Sequence, residues 1–451
     1  MEQFNFVEKP RVSCALGGAL ATVNALPRTV PILHASFGCG NMTSVASWGA
    51  SGYLGSGYCG GNSIPASAIG EKEIVFGGVE RLAEQIHNTA EIIDADLFAV
   101  ITGCTAEIIG DDALDVVRSY NRARTDRAPA ILISGAGFKG DSLWGYDATL
   151  EALFQEYVAP ATGSDAGSVN LWGIPPAHDV WWHGNLIELR RILEGLGLHV
   201  NSFFTPHDSL EDIRASARAE LNIVLSPVNG IRAAMAFEQK HGTPFLATDL
   251  PVGAKATDDF VRAVAQRLNL SSSHSEALIT EERSSYYHVF NRLADAYADI
   301  DLQRYAVVIG SINYAHALTR FVNQELGWLT ELTVITDQID QKEQESLRSR
   351  FRGFVDHPSE TVVFETDASR IPEHLSKRWP RPNGDRYYHA FSPAFVLGSR
   401  IDREFADSIG AGHLSVSYPV SNRVILNRGY AGYSGALALV EDIYSVVLAA
   451  R

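Results

Sequence analysis

The chain has 451 residues, 46% of them hydrophobic and 20% charged, with a formal net charge of −16. That is too long for one ordinary core and apolar enough for several, so two or three α/β domains are expected. The acidic balance excludes nonspecific binding to nucleic acid or anionic membranes, and no apolar run reaches the roughly 20 residues that span a bilayer.

The first 161 residues read as one unit. Met1-Glu2-Gln3-Phe4-Asn5 lacks the basic and apolar regions of a secretory signal, so a cytoplasmic location is expected. Pro31–Ala35 is a strand candidate, with proline tolerated at its start. Thr43–Ala68 is rich in Gly, Ser and Tyr without periodicity and reads as loops or short helices. A helical pattern runs from Glu80 to Ile93. Leu97–Cys104 and Ala130–Ser134 are short apolar runs bounded by turn signals. Alternating with helices, they predict a parallel sheet.

Thr162–Ser168 reads as a linker into a second α/β unit over 168–300. Its strands are expected at Val169–Ile174, His199–Phe204, Leu221–Leu225 and Pro244–Thr248. Asn185 is placed as the N-cap of a helix whose apolar face is Leu186, Leu189, Leu193 and Leu196, with Gly197 just past its end. Thr257 caps another helix, with Asp258 and Asp259 in its first turn. A long polar helix around Glu276–Asp299 leads into a third unit over 301–451. There the strands are Tyr305–Ser311, Glu331–Thr336, Thr361–Glu365, Ala394–Ser399 and Leu414–Val420, with a helix at His316–Leu326 and a turn at Arg381–Asp385. The amphipathic stretch Ser434–Ala450 either packs on its own domain or returns to the first. No Walker lysine motif occurs, so nucleotide binding by this chain is not expected.

The chemistry concentrates in the cysteines. All four, Cys14, Cys39, Cys59 and Cys104, lie in the first unit. So few in so long a chain are no disulfide framework. Cys14, Cys39 and Cys104 each sit where the chain is expected to turn, and glycines stand close by. Thiolate is the ligand that iron–sulfur irons require. Ligands this far apart cannot wrap a cluster on one loop. They can if each ends a different strand of one sheet, where loops converge on the carboxyl edge. Three thiolates leave a four-iron cluster one ligand short. A partner subunit, an Asp, a Ser or a water would complete it, which places the site at an interface. Cys59 reads as an ordinary thiol.

Three stretches resemble the nitrogenase component 1 family, especially its β-type subunits. They are His34-Ala35-Ser36-Phe37-Gly38-Cys39, Glu73-Ile74-Val75-Phe76-Gly77-Gly78 and Cys104-Thr105-Ala106-Glu107-Ile108-Ile109-Gly110-Asp111-Asp112. Weaker similarity runs through Gly184-Asn185, Pro251-Val252-Gly253, Arg304–Leu326, Tyr418-Pro419 and Gly432–Gly435. The resemblance implies three Rossmann-like parallel-sheet domains without the nucleotide. It implies that Cys14, Cys39 and Cys104 hold this chain's half of a P-cluster, an [8Fe-7S] relay bridging two subunits, with a [4Fe-4S] cluster as the alternative. Family β subunits can add a serine ligand on oxidation, and Ser134 is the nearest candidate.

Catalytic α-type subunits hold a metallocofactor with a mid-chain Cys and a C-terminal His. Here no Cys follows Cys104, and His413 is taken as structural. The catalytic metallocofactor is then expected in a partner α-type subunit of an α2β2 heterotetramer. A separate ATP-dependent [4Fe-4S] reductase homodimer would supply the electrons. Compared with molybdenum nitrogenase β subunits, Cys14 comes early and the Gly-Ser-Tyr-rich insert Gly49–Ser63 is unusual. These departures favour a nitrogenase-like reductase, with C–S bond reduction by a methylthio-alkane reductase as the specific expectation. The alternatives are a nitrogenase β subunit, a scaffold for cofactor assembly and a tetrapyrrole reductase subunit. Glu107, Asp111 and Asp112 tune the cluster or dock a partner, or they are helix N-terminal acids. His34 hydrogen-bonds near the cluster or is a satisfied structural histidine.

Overall fold

A computed structural model describes residues 7–40, 43, 49–53, 58, 64–299, 302–379 and 393–449. The expectations for Cys59 and for the turn Arg381–Asp385 lie outside the described residues, as does most of the insert Gly49–Ser63. Three parallel sheets follow one another along the chain. The first has the order β1 (Thr29–His34), β2 (Leu97–Thr102), β3 (Ala130–Ser134). The second is built from β4 (Asp165–Trp172), β5 (His199–Asn201), β6 (Ala219–Val224) and β7 (Phe245–Ala247), in the order β5-β4-β6-β7. The third comprises β8 (Tyr305–Gly310), β9 (Leu329–Ile335), β10 (Val362–Phe364), β11 (Ala394–Gly398) and β12 (Gly412–Ser415), in the order β10-β9-β8-β11-β12. Every pairing among these strands is parallel. β1, β2 and β11 are buried along their whole length, which is why they read as unbroken apolar runs.

One continuous core joins the three units. It runs from Leu33 and Ile101 in the first sheet through Trp172, Leu189 and Phe237 to Val308, Phe395 and Tyr430. Within it, the helices Ala15–Asn24 and Ser142–Ala152 cross at backbone contact. A methyl group on Gly18 would lie 1.8 Å from the Ser142 carbonyl oxygen, and one on Gly145 would lie 2.0 Å from that of Ala15. Only glycine permits this approach, and it locks the first helix to the loop after β3.

The helix expected to begin at Asn185 instead starts at Trp182 and runs to Gly195. Asn185 lies inside it, fully buried. Its Oδ1 accepts from the backbone N–H of Tyr430 at 2.7 Å and of Ala431 at 2.9 Å. Its Nδ2 donates to Tyr314 Oη at 2.8 Å and Asp179 Oδ2 at 3.2 Å. Asn185 therefore joins the second sheet's helix, the third sheet's first helix and the segment leading into the last helix. Gly197 does fall just past the helix end, with φ of +81°.

Other expectations shift for physical reasons. Thr162–Ser168 is not all linker, because β4 begins at Asp165, with exposed residues that pair to β6 through a register shift. Backbone ladders need no apolar side chains, so this half of the strand looks like loop. Thr257 lies within the helix Ala254–Arg267, and its Oγ1 donates back to the Gly253 carbonyl at 2.6 Å. The polar helix over Glu276–Asp299 is two helices, Ser272–Phe290 and Leu293–Asp299. The last helix, Gly432–Ala449, packs chiefly on helices Trp182–Gly195, Ala254–Arg267 and Ser272–Phe290 and on β12, hence on the second and third units and not on the first. It is long and apolar enough to cross a membrane, but half of it is buried inside the protein. Its Asp442 also accepts from Arg423 at 2.7 Å.

Replacing Asn185 by Ala strips the acceptor from two buried backbone N–H groups. The Asn185→Ala chain is expected to lose about 2–4 kcal/mol of apparent stability in urea unfolding. A loss within about 0.5 kcal/mol, the size of an ordinary surface change, would contradict the role given to this residue.

Candidate functional site

The three strands of the first sheet end level with one another. His34 is in register with Thr102, and Thr102 with Ser134. The segments that follow β1, β2 and β3 therefore leave one edge side by side. After β1 the chain turns through Gly38, at φ of +94°, and the Cys39 N–H donates to the Ser36 carbonyl at 3.3 Å. After β2 the extended Gly103 leads into a short helix that Cys104 opens. Cys14 arrives from the other direction, as the N-cap of the helix Ala15–Asn24. It bridges to Asp141, with Ala15 N–H donating to the Gly140 carbonyl at 3.1 Å and Ser142 N–H to that of Ser13 at 2.9 Å.

The loop after β3 sits against two of the thiols. Gly137 N–H donates to Cys104 Sγ at 3.1 Å. A methyl group placed on Gly137 would lie 3.4 Å from Cys104 Sγ and 3.6 Å from Cys14 Sγ. The Cys39 thiol is pushed up from its ordinary pKa by burial and then by the negative charges of Cys14 and Cys104, so it shares their field. All three cysteines are exposed, although an unbridged cysteine is ordinarily among the most buried of residues. Among the described residues no three His, Cys, Asp or Glu side chains gather closely enough to hold one metal ion.

Hydrogen bonds hold this edge in shape. His34 is fully buried. Its Nδ1 pairs with Ser67 Oγ and its Nε2 with Asp111 Oδ2, both at 2.9 Å. Burial lowers its pKa in spite of Asp111, so the ring is neutral at pH 7. With Nε2 donating to the carboxylate, Nδ1 accepts from the serine. Asp111 also accepts from Gly78 N–H at 2.9 Å and 3.0 Å, which ties the Phe76-Gly77-Gly78 segment to the end of the Cys104 helix. Asp112 caps the next helix, its Oδ1 accepting from Asp115 N–H at 3.0 Å. The acid pair therefore has two distinct structural tasks.

Glu107 is held in the same way. It accepts from Thr102 Oγ1 at 2.7 Å and Ser134 Oγ at 2.6 Å, and pairs with Lys139 Nζ at 2.6 Å. Burial opposes its ionisation, but Lys139, Ser134 and Thr102 together keep the carboxyl below its usual pKa. The Ser134 hydroxyl also accepts from Lys139 Nζ. Ser134 thus ends β3 level with the strands that lead to Cys39 and Cys104, with its oxygen taken up by Glu107 and Lys139. The residue of that loop which touches the thiols is Gly137, which sequence reasoning passed over. The signal was there in Gly135-Ala136-Gly137, two glycines immediately after a strand in register with the cysteine-bearing ones.

Large exposed apolar side chains lie on the segments that meet at this edge. Phe37 is 88% exposed, Phe76 82%, Ile108 72% and Phe138 60%. Each lies in a segment already placed at this edge. Exposed apolar groups on adjoining segments are a feature of interaction surfaces.

The comparisons with known proteins agree with this fold. A family model described as nitrogenase component 1 type oxidoreductase matches residues 14–448. The nitrogenase molybdenum-iron protein beta chain of Methanococcus maripaludis is 23% identical, over 99% of this chain and 97% of its own. A light-independent protochlorophyllide reductase subunit of Staurastrum punctulatum is also 23% identical, over 85% of this chain and 73% of its own. Among solved structures, nitrogenase Cp1 at pH 6.5 superposes with a TM-score of 0.80 and 19% identity, covering all of this chain and 95% of that one. A match spanning nearly every residue, over three parallel sheets in series, places the chain in the nitrogenase component 1 type oxidoreductase family.

Proposed function

We propose that this chain is the β-type, electron-relaying subunit of a nitrogenase-like metalloreductase. Cys14, Cys39 and Cys104 act as thiolates that hold half of an iron–sulfur cluster shared with an α-type partner. What carries the proposal is the gathering of three exposed thiols at one sheet edge, where the neighbouring segments also expose Phe37, Phe76, Ile108 and Phe138. The residues suit such a group. The donors are soft sulfur, and Gly137 leaves open the space that a side chain would fill beside two of them. The Gly137 N–H directed at Cys104 Sγ is the kind of amide that stabilises charge on a thiolate.

When bound, an iron–sulfur cluster supplies one-electron chemistry, and an [8Fe-7S] cluster completed by the partner's ligands is the form we favour over a [4Fe-4S] cluster. This chain's part is to hold and insulate. Asp111 and His34 fix the turns that carry Cys39 and Cys104, and Lys139 balances the Glu107 charge beside them. These apolar side chains keep water from the interface once it is covered. An ATP-dependent [4Fe-4S] reductase homodimer would deliver electrons, and an α-type chain would hold the substrate-reducing metallocofactor in an α2β2 assembly. This chain has no cysteine after Cys104 to anchor such a cofactor. His413 is occupied, its Nε2 hydrogen-bonding the Ser399 carbonyl at 2.9 Å.

For the substrate we favour a small methyl sulfide, with C–S cleavage by a methylthio-alkane reductase. The Gly-Ser-Tyr-rich insert Gly49–Ser63 supports a reductase distinct from dinitrogen-reducing enzymes. A tetrapyrrole is the second reading, because one relative is a protochlorophyllide reductase subunit. Anaerobic turnover of the co-purified complex with a methyl sulfide, dinitrogen and protochlorophyllide separates these readings.

Cys14→Ala, Cys39→Ala and Cys104→Ala should each lower iron and acid-labile sulfide and bleach the visible absorption of anaerobically purified complex. Full iron content in all three variants would defeat the ligand assignment. Gly137→Val should have the same effect while far-ultraviolet circular dichroism stays unchanged, since its side chain occupies the space beside Cys14 and Cys104. Phe76→Glu should weaken association with the α-type chain or the reductase by at least tenfold, about 1.4 kcal/mol, as read by analytical ultracentrifugation. Unaltered assembly would remove these apolar side chains from the interface.

A further inference from the structure

Where the three sheets meet there is a small cavity that the electron relay does not use. Its volume is about 30 Å³, and Arg11, His178, Asp179, Asn313, Tyr314 and Asp337 supply most of its polar lining. His178 and Asp179 follow β4. Asn313 and Tyr314 open the helix after β8. Asp337 follows β9, and Arg11 belongs to the segment that runs into Cys14. The space accommodates about two water-sized particles and nothing larger.

The bonding around it is incomplete in a particular way. Asp337 is 4% exposed; its Oδ2 accepts from Ile312 N–H at 2.6 Å, and its Oδ1 has no partner. Asn313 is 3% exposed; its Nδ2 donates to the Gly173 carbonyl at 3.0 Å, and its Oδ1 has no partner. Asp179 is a buried carboxylate, with Oδ1 accepting from Trp181 N–H and Tyr314 Oη and Oδ2 from Asn185 Nδ2. Arg11 brings a positive charge, but its two terminal nitrogens are spent on Asp402 and Ser399, and Asp402 cancels that charge. The Arg11 Nε–H remains unpaired. Burial holds His178 down to about 4, so it is neutral, and its Nε2 pairs with Ser142 Oγ.

Two carboxylates thus face one cavity with no countercharge left among its lining residues, and burial raises both to about 7. At neutral pH each is ionised only in part, and the ionised form has no cationic partner among the lining residues: water would satisfy its unpaired oxygen but not its charge. We propose that the cavity binds one desolvated monovalent cation, sodium, potassium or ammonium, on Asp337 Oδ1 and Asn313 Oδ1, with a water beside it taking the Arg11 Nε–H. Oxygen donors are what such hard ions accept. A magnesium ion keeps several waters, for which there is no room. The ion would join β8, β9 and the segment that positions Cys14.

The test uses the full chain in its purified complex. Unfolding is followed in sodium, potassium, ammonium, rubidium and tetramethylammonium chlorides at equal ionic strength. At least one small ion should raise the apparent folded-to-unfolded ratio over tetramethylammonium. The rise is about a hundredfold at a hundred times its dissociation constant. Asp337→Asn, which keeps the shape and removes the charge, should abolish the difference. Anomalous scattering from rubidium-soaked wild-type crystals should place an ion in the cavity, and this readout decides the matter if the variant does not fold. Equal midpoints in every salt, an ion effect that persists in Asp337→Asn, or a cavity holding only water would overturn the proposal.

Discussion

The parallel register of the first sheet is the constraint on which the site depends. Because β1, β2 and β3 run the same way and His34, Thr102 and Ser134 are level, the three following segments must emerge together. Parallel strands also require long crossovers, and this explains the sequence spacing. Cys39 and Cys104 are far apart in the chain because the helical crossover from β1 to β2 lies between them, and they leave one edge because that crossover returns the chain to start β2 parallel to and in register with β1. Cys14 reaches that edge through helix packing. The glycine contacts between Ala15–Asn24 and Ser142–Ala152 set its position to within van der Waals tolerance.

Much of this was legible in the sequence because it rests on bulk physical signals. Buried parallel strands are short apolar runs, and eleven of the twelve begin within two residues of where those runs begin. The departures are instructive. β4 starts four residues early, in polar residues held by backbone pairing alone. Asn185 reads as a cap because asparagine before a leucine-rich helix ordinarily is one. Its actual role needs Tyr430 and Ala431, more than two hundred positions away, and no local pattern records such a partner. Ser134 reads as a strand end, but its bonding to Glu107 and Lys139 depends on side-chain reach from two other segments. Gly137 carries no chemistry of its own. Its importance lies in the absence of a side chain, visible only once the thiols beside it are located.

The family resemblance and the physical reading support one another at different levels. The motifs around Cys39, Phe76 and Cys104 are spread over separate segments. The structure binds those segments through Asp111, which links the Phe76-Gly77-Gly78 turn, the His34 ring and the end of the Cys104 helix. A single buried carboxylate thus explains why three stretches with no local relation share one pattern. Loss of that carboxylate would leave a buried imidazole and a buried amide without their partner at once.

The edge is also coupled to the far end of the chain. Lys9 and Glu8 donate their backbone N–H groups to Asp367, and Arg11 makes a buried ion pair with Asp402. Cys14 follows three residues later. The segment that leads to this thiol is therefore held by the third unit on one side and, through the helix that Cys14 caps, by the first unit on the other. The site and the packing of the whole chain are thus joined through the short run from Arg11 to Cys14.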